Sequence, residues 1–172
     1  MGITIRKVLP EDVYDYTVCH IACWNAAFRG IVSDEYLDNM SAEIEERVER
    51  LKKTLDRPGN SEFYCVIFEG RMIGRLIIGK SQDEDKPDAG AIVAIYLLDE
   101  FWGKGYGREM MDFAIGALKR LGYREVVLWT PKENERAKRF YEKYGFTADG
   151  ATKEMGIGKA LVIIRYVFNI RE

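Results

Sequence analysis

Between the apolar stretch Ala91 to Leu98 and an amphipathic stretch beginning near Met110, the chain runs Trp102-Gly103-Lys104-Gly105-Tyr106-Gly107-Arg108. This junction restricts the fold more than any other segment. Three glycines in five positions allow a tight turn with φ > 0 and bring bare amides against a ligand with no Cβ in the way. The amphipathic segment presents Met110, Met111, Ala114, Ile115, Leu118 and Leu121 on one helical face, and Gly122 caps it. A helix starting at the loop adds unpaired N–H groups and about half a positive charge at its N-terminus. Strand, glycine loop and helix together describe a backbone cradle for an anion, with phosphate or pyrophosphate as the expected guest.

The rest of the chain alternates strand and helix signals. Ile3 to Leu9 alternates like a strand, and Pro10-Glu11-Asp12 opens a helix in which Val13, Tyr16, Thr17, His20 and Trp24 recur at helical spacing, up to Gly30. Cys19 and Cys23, on one face of that helix, read as small core residues, and His20 as a residue at the buried edge. After an irregular stretch through Asp38, Ser41 begins a helix with Ile44, Val48, Leu51 and Leu55 inward. Its solvated face pairs Glu43 with Arg47, Glu46 with Arg50 and Glu49 with Lys53, and Pro58-Gly59-Asn60 stops it.

Glu62 to Phe68 and Met72 to Gly79 read as two strands joined by the turn Glu69-Gly70-Arg71. Ser81 to Gly90, with Asp83, Glu84, Asp85 and Asp88, reads as an exposed acidic loop, a solvated hairpin tip in preference to an attractor for a cationic acceptor. Ala91 to Leu98 is continuously apolar, as a central strand covered on both faces would be. Glu125 to Trp129 is a further short buried strand, Asn134 to Gly145 a helix, and Ala160 to Ile170 a β-rich run. The expected architecture is one α/β domain over residues 1–172, a mixed sheet of about seven strands with about four helices.

At 172 residues such a domain buries about 70% of its unfolded surface, enough for a real core. A formal net charge of -2 gives no electrostatic footprint for nucleic acid or anionic membrane. The apolar runs are too short to cross a bilayer, and no signal-peptide pattern is present. Three cysteines without a CxxC pair suit a reduced, cytoplasmic protein, and with a single histidine they predict no metal site.

Which phosphate ligand the loop holds is narrowed by elimination. A nucleotide P-loop needs GxxxxGK followed by Ser or Thr, whereas Lys104 falls between glycines with no hydroxyl residue after it. A GxGxxG dinucleotide loop begun at Gly103 meets Arg108 at its third glycine position, and begun at Gly105 it meets Met110.

The pattern that fits resembles the acyl-CoA loop of the Gcn5-related N-acetyltransferase (GNAT) superfamily, Q/R-x-x-G-x-G/A, carried here by Trp102, Gly105 and Gly107, with Trp replacing the usual Gln or Arg. Downstream, the run from Asn134 through Ala137, Phe140, Tyr141, Tyr144 and Gly145 to Phe146 is similar to that superfamily's NxxAxxFYxxxGF segment. Trp24, Ala27, Gly30, Ile31 and Leu37 resemble the N-terminal stretch of a bacterial subgroup whose acceptors are diverse.

The resemblance implies a fold with a splayed central strand pair and an acetyl-CoA-dependent transfer to an amine acceptor, with no metal, and it leaves a homodimer open. It assigns the backbone of Gly103, Lys104, Gly105, Tyr106, Gly107 and Arg108 to the CoA pyrophosphate, and that of Ile95, Tyr96 and Leu97 to the pantetheine arm. Pantetheine amides can complete an exposed strand edge in the way an added strand does. A strand N–H near Leu97 can polarise the thioester carbonyl.

Asn134 is implied as a cofactor contact, although its side chain also suits a helix N-cap. Tyr141 is implied as general acid toward the leaving thiolate, although it shares the apolar face of its helix. Trp24, Phe28, Arg29 and Tyr36 are candidates for the acceptor side. No acidic residue lies within Ala91 to Leu98, so the implied base is a water chain or a residue elsewhere. That gap, with Trp102, leaves a catalytically silent CoA-binding sensor as the alternative reading.

Overall fold

The computed structural model describes residues 2–57 and 59–171. Seven strands form one sheet: β1 (Thr4–Lys7), β2 (Ser61–Phe68), β3 (Arg71–Lys80), β4 (Gly90–Leu97), β5 (Glu125–Pro131), β6 (Thr147–Ile157) and β7 (Lys159–Asn169). Their spatial order is β1-β2-β3-β4-β5-β7-β6. All neighbours are antiparallel except β4 and β5, which run parallel. Five helices accompany the sheet: α1 (Val13–Phe28), α2 (Asp34–Ala42), α3 (Ile44–Leu55), α4 (Tyr106–Arg120) and α5 (Glu135–Tyr144).

The β2–β3 turn forms where Glu69-Gly70 predicts it, with φ of 49° and 79°. Two positive φ values give the turn twist that matches right-twisted strands.

Alternation along β3 separates the layers. Leu76 and Ile78 join Met111, Ala114 and Leu118 of α4 and Tyr141 of α5 in one cluster. Arg75 points to the other face, where its guanidinium lies 4.7 Å from the Tyr16 ring of α1. Cys19 and Cys23 are buried on α1 with their sulfurs 3.9 Å apart, as the core reading expects. His20, beside them, is pushed down to about 2 by burial, reinforced by Arg75 and Arg47, and so stays neutral.

Three expectations are corrected. The stretch read as irregular through Asp38 is helical: Ser33 caps α2 by accepting from the Tyr36 amide at 3.3 Å, and Leu37 and Met40 are buried on its inner side. Its Asp, Asn and Ser content masks the helix because these residues compete for the backbone. In α3 the pairs Glu43–Arg47 and Glu46–Arg50 form, at 3.0 and 2.7 Å, but Glu49 pairs with Lys52 at 2.7 Å instead of Lys53. Gly59 and Asn60 follow the end of α3, while Pro58, read as part of the stop, lies outside the described residues.

The third correction concerns part of the acidic loop of residues 81–90: it is the tip of the β3–β4 hairpin with Glu84, Asp85 and Asp88 exposed, as expected, but Asp83 is only 10% exposed and makes the loop a clasp. The Arg165 side chain, 5% exposed on β7, meets Asp83 at 3.2 Å, Asp85 at 2.6 Å and Asp149 at 2.8 Å. Asp83 also accepts from the Trp129 indole at 2.9 Å. A cation this buried is tolerable only with such counter-charges.

Candidate active site

The cleft begins where the two parallel strands part. Strands β4 and β5 are registered only at Gly90 with Val126 and Ala91 with Val127. Beyond Ala91 the edge of β4 facing β5 has no strand partner, so its N–H and C=O groups face the gap, and of these the Leu97 carbonyl accepts from the Trp102 indole.

On its other edge β4 stays paired with β3, but with a bulge. Ile77 pairs with Ala94 and Ile78 with Ile92, which leaves Val93 as the extra residue, 56% exposed in the cleft wall. The resulting cavity, about 490 Å³, is bounded by Ile92 to Leu97, by Leu128 to Pro131 of β5, and by the glycine loop and α5.

At the carboxyl end of β4 the chain passes Trp102 and enters the loop. Gly103 and Gly105 take φ of 73° and 90°, left-handed values that cost an L side chain strain, and Gly105 is the N-cap of α4. The amides of Arg108 and Glu109 donate to the Gly105 carbonyl. The five preceding amides, from Gly103 to Gly107, donate to no group of the chain among the described residues. Five consecutive free donors at a helix N-terminus have the chemistry to receive an anion without help from any side chain.

Gly107 also brings helix and helix together, since a Cβ there would stand 3.4 Å from the Phe140 ring. Lys104 and Tyr106 turn their side chains elsewhere: the Lys104 ammonium lies over the Phe101 ring at 5.3 Å, and Tyr106 packs against Phe68 and Phe101. Arg108 lines the cavity, 3.9 Å from Asp112 and over the Tyr144 ring.

Helix α5 supplies the opposite wall. Asn134 caps it by accepting from the Ala137 amide at 3.2 Å, and as a buried cavity-lining residue it fulfils the cap and stands at the wall together. Tyr141 is 8% exposed, belongs to the core cluster and borders the cavity, and its hydroxyl makes no hydrogen bond to the chain among the described residues. Burial, with the neighbouring Tyr96 adding to it, raises the Tyr141 phenol well above its ordinary value. The group therefore stays protonated at neutral pH and keeps a hydrogen to donate. Tyr96 is likewise raised by burial.

The acceptor candidates divide. Phe28 lines the cavity. Trp24 stands behind it, with ring centroids 4.8 Å from Phe28, 6.3 Å from Tyr36 and 6.1 Å from Tyr96. Tyr36 is part of the same aromatic packing, so both of these support the wall from outside the cavity. Arg29 turns away to Asp34 at 3.3 Å and Asp38 at 2.9 Å.

Sequence reasoning did not find Arg136, Lys143, Val93 or Leu128 to Pro131 as lining residues. Arg136 and Lys143 sit at unspecified positions of the segment around Asn134. The β5 residues become a wall only because the strands part. No Asp, Glu or His lines the cavity among the described residues, and the charges present are Arg108, Arg136 and Lys143. Among those residues no His/Cys/Asp/Glu cluster could hold a metal ion, and no helix is long and apolar enough to cross a membrane.

Comparison with known proteins bears on this arrangement. The family model described as the acetyltransferase (GNAT) family matches residues 24–146. The uncharacterized N-acetyltransferase YuaI of Bacillus subtilis is 25% identical, with 91% of this chain and 92% of that protein covered. The spermidine N(1)-acetyltransferase of Thermoplasma acidophilum is 24% identical, covering 87% of this chain and 91% of its own. Among solved structures, the PaiA N-acetyltransferase of Thermoplasma acidophilum in complex with coenzyme A superposes with a TM-score of 0.72 at 20% identity, over 99% of this chain and all of that one. A GCN5-related N-acetyltransferase from Rhodopseudomonas palustris reaches 0.75 at 17% identity, over 99% and 97%.

Proposed function

Because the chain belongs to the acetyltransferase (GNAT) family, we propose that it transfers the acetyl group of acetyl-CoA to a primary amine by direct attack. The observation that carries this reading is the pairing of five free amides at the N-terminus of α4 with an unpaired strand edge on β4. The first suits a diphosphate and the second the two amides of a pantetheine arm running between β4 and β5. The bound coenzyme A in the PaiA structure supports the same donor.

In this mechanism the neutral amine attacks the thioester carbonyl, forming the C–N bond. A backbone N–H near Leu97 holds the developing oxyanion. Collapse of the tetrahedral intermediate breaks the C–S bond, and the Tyr141 hydroxyl donates a hydrogen bond to the leaving sulfur. A phenol near 10 is a weaker acid than a thiol near 8.5, and burial weakens it further. Tyr141 therefore stabilises the thiolate through a hydrogen bond, and the proton released by the nitrogen leaves through water.

The lining carries no carboxylate to serve as base among the described residues, and His20 is held neutral away from the cavity. Weakly basic amines, near 7.7 to 8 for an α-amino group, need the least help. The cationic lining suits the phosphate-rich donor and offers no carboxylate, among the described residues, to pair with a polycation.

The test is a screen for CoA release across amines, peptides and aminoglycosides, followed by Tyr141→Phe. The expected result is turnover with an acceptor and a loss of kcat of about 100-fold in the variant, with acetyl-CoA affinity nearly unchanged. Unchanged kcat would remove Tyr141 from the reaction. Tight acetyl-CoA binding without turnover on any acceptor would replace the enzyme with a CoA-binding sensor.

A further inference from the structure

Position 102 holds Trp where the acyl-CoA loop pattern has Gln or Arg, so the loop carries no side-chain charge at its entrance. The structure restores one from elsewhere. The guanidinium carbon of Arg136, in the first turn of α5, lies 3.4 Å from the centroid of the Trp102 ring. Trp102 is itself fixed, because its indole N–H donates to the Leu97 carbonyl at 2.8 Å. Its neighbour in sequence, Gly103, provides the first of the five free amides. The stack thus holds a cation across the cleft from α5 and beside the anion cradle, with both partners on the cavity wall.

Three observations set Arg136 apart from the other cations nearby. It has no carboxylate within ion-pair distance among the described residues, and the adjacent Glu135 is taken by Lys138 at 2.5 Å. Arg108 is engaged with Asp112 and Tyr144, and Lys104 lies over Phe101. Lys143 also lacks a carboxylate, but it stands about two turns further along α5. A guanidinium stacked by its face keeps its in-plane N–H donors free at the edge, the geometry that suits two phosphate oxygens.

We propose that Arg136, held by the Trp102 ring, is the side-chain ligand of the donor's diphosphate, supplying from α5 the charge that position 102 lacks. The inference rests on the acyl-CoA reading of the cleft. Both residues are positioned to bind the donor and neither touches the reacting atoms, so the effect belongs in affinity and not in kcat.

The experiment is calorimetric titration of the wild type, Arg136→Gln, Arg136→Lys and Trp102→Leu with CoA, 3′-dephospho-CoA and 4′-phosphopantetheine, with thermal melts to check folding. Arg136→Gln is expected to lose about 10–30-fold in affinity for CoA and equally for dephospho-CoA, but less than threefold for 4′-phosphopantetheine, which lacks the diphosphate. Arg136→Lys should recover only part, because an ammonium has neither the stack nor the fork. Trp102→Leu should lose less than Arg136→Gln, and the double variant no more than Arg136→Gln alone.

Unchanged CoA affinity in Arg136→Gln overturns the proposal. So does a loss that disappears with dephospho-CoA, which would place the cation on the 3′-phosphate, or an equal loss for all three ligands, which would make the stack a wall of the cleft and nothing more. A wild-type protein that binds none of the three overturns the acyl-CoA reading itself, a result separate from any of these.

Discussion

Strand β4 is entered through the acidic loop of residues 81–90 and left through the glycine loop of residues 102–108, and the two treat their polar groups in opposite ways. In the first, Asp83, Asp85 and Lys86 are all engaged, with Arg165, Trp129 and Glu125, and the Ser81 and Ala89 amides donate to the carbonyls of Ala89 and Lys86. In the second, five successive amides have no partner in the chain among the described residues.

The loop rich in charged side chains uses them to hold β7 to the β3–β4 hairpin. The loop with three glycines leaves its donors without a partner among the described residues. Charge density in a loop is therefore a poor guide to binding when a buried counter-ion waits elsewhere in the fold, whereas free backbone donors held in a left-handed turn have few structural uses.

The largest effect expected from this contrast is in Arg165→Ala. Removing the cation leaves Asp83, 10% exposed, without its main counter-charge and costs about 3–5 kcal/mol, read as a lower urea midpoint. CoA affinity measured below the melting temperature should stay within about threefold of wild type. A cost below about 1 kcal/mol would make the clasp an ordinary surface pair.

Gly105→Ala should behave in the reverse manner. Its φ of 90° strains any Cβ by about 1–2 kcal/mol, while the space around it is open, so stability falls modestly. CoA affinity should fall about tenfold as the row of amides relaxes. Unchanged affinity would show that side chains and not the loop backbone hold the anion.

The smallest effect lies in acid. The Arg165 hydrogen bond holds Asp85 below the usual carboxylate range, and for Asp149 burial pushes upward but Arg165, with the Ala151 amide and Lys86, brings the carboxyl below it. Both folded values lie under that of an unfolded aspartate, about 3.9, so the clasp contributes in full above that pH and is lost as pH falls below it. Hydrogen-exchange protection at Ser81 and Ala89 should decline as pH falls below about 4. The amides of Gly103 to Gly107 should show no protection at any pH without ligand. Protection of Ser81 that persists to lower pH would separate the loop's closure from Arg165.

Much of the fold was legible because it is written locally. The alternation of Glu62 to Phe68, the helical spacing from Met110 to Leu118 and the Glu69-Gly70 turn each depend on a few adjacent residues. Helix α2 was hidden because Asp34, Asp38, Asn39 and Ser41 weaken its local signal, and burial of Leu37 and Met40 decides the matter. Within the site, the glycine loop was legible from its own residues, whereas Asn134 and Tyr141 stood out only through the resemblance to the acetyltransferase pattern. The stack of Arg136 on Trp102 was not, since neither residue carries a pattern that names the other.

What the sequence by itself determined is the loop's capacity to expose its amides, because positive φ and absent side chains are properties of glycine wherever it stands. It also determined the order of strands and helices that places the loop at a helix N-terminus. The tertiary structure decided that β4 and β5 part after Ala91, that Leu128 to Pro131 become a wall, and that Arg165 reaches an aspartate 82 residues away. Those outcomes depend on packing and on charges meeting across the sheet, which no local spacing encodes.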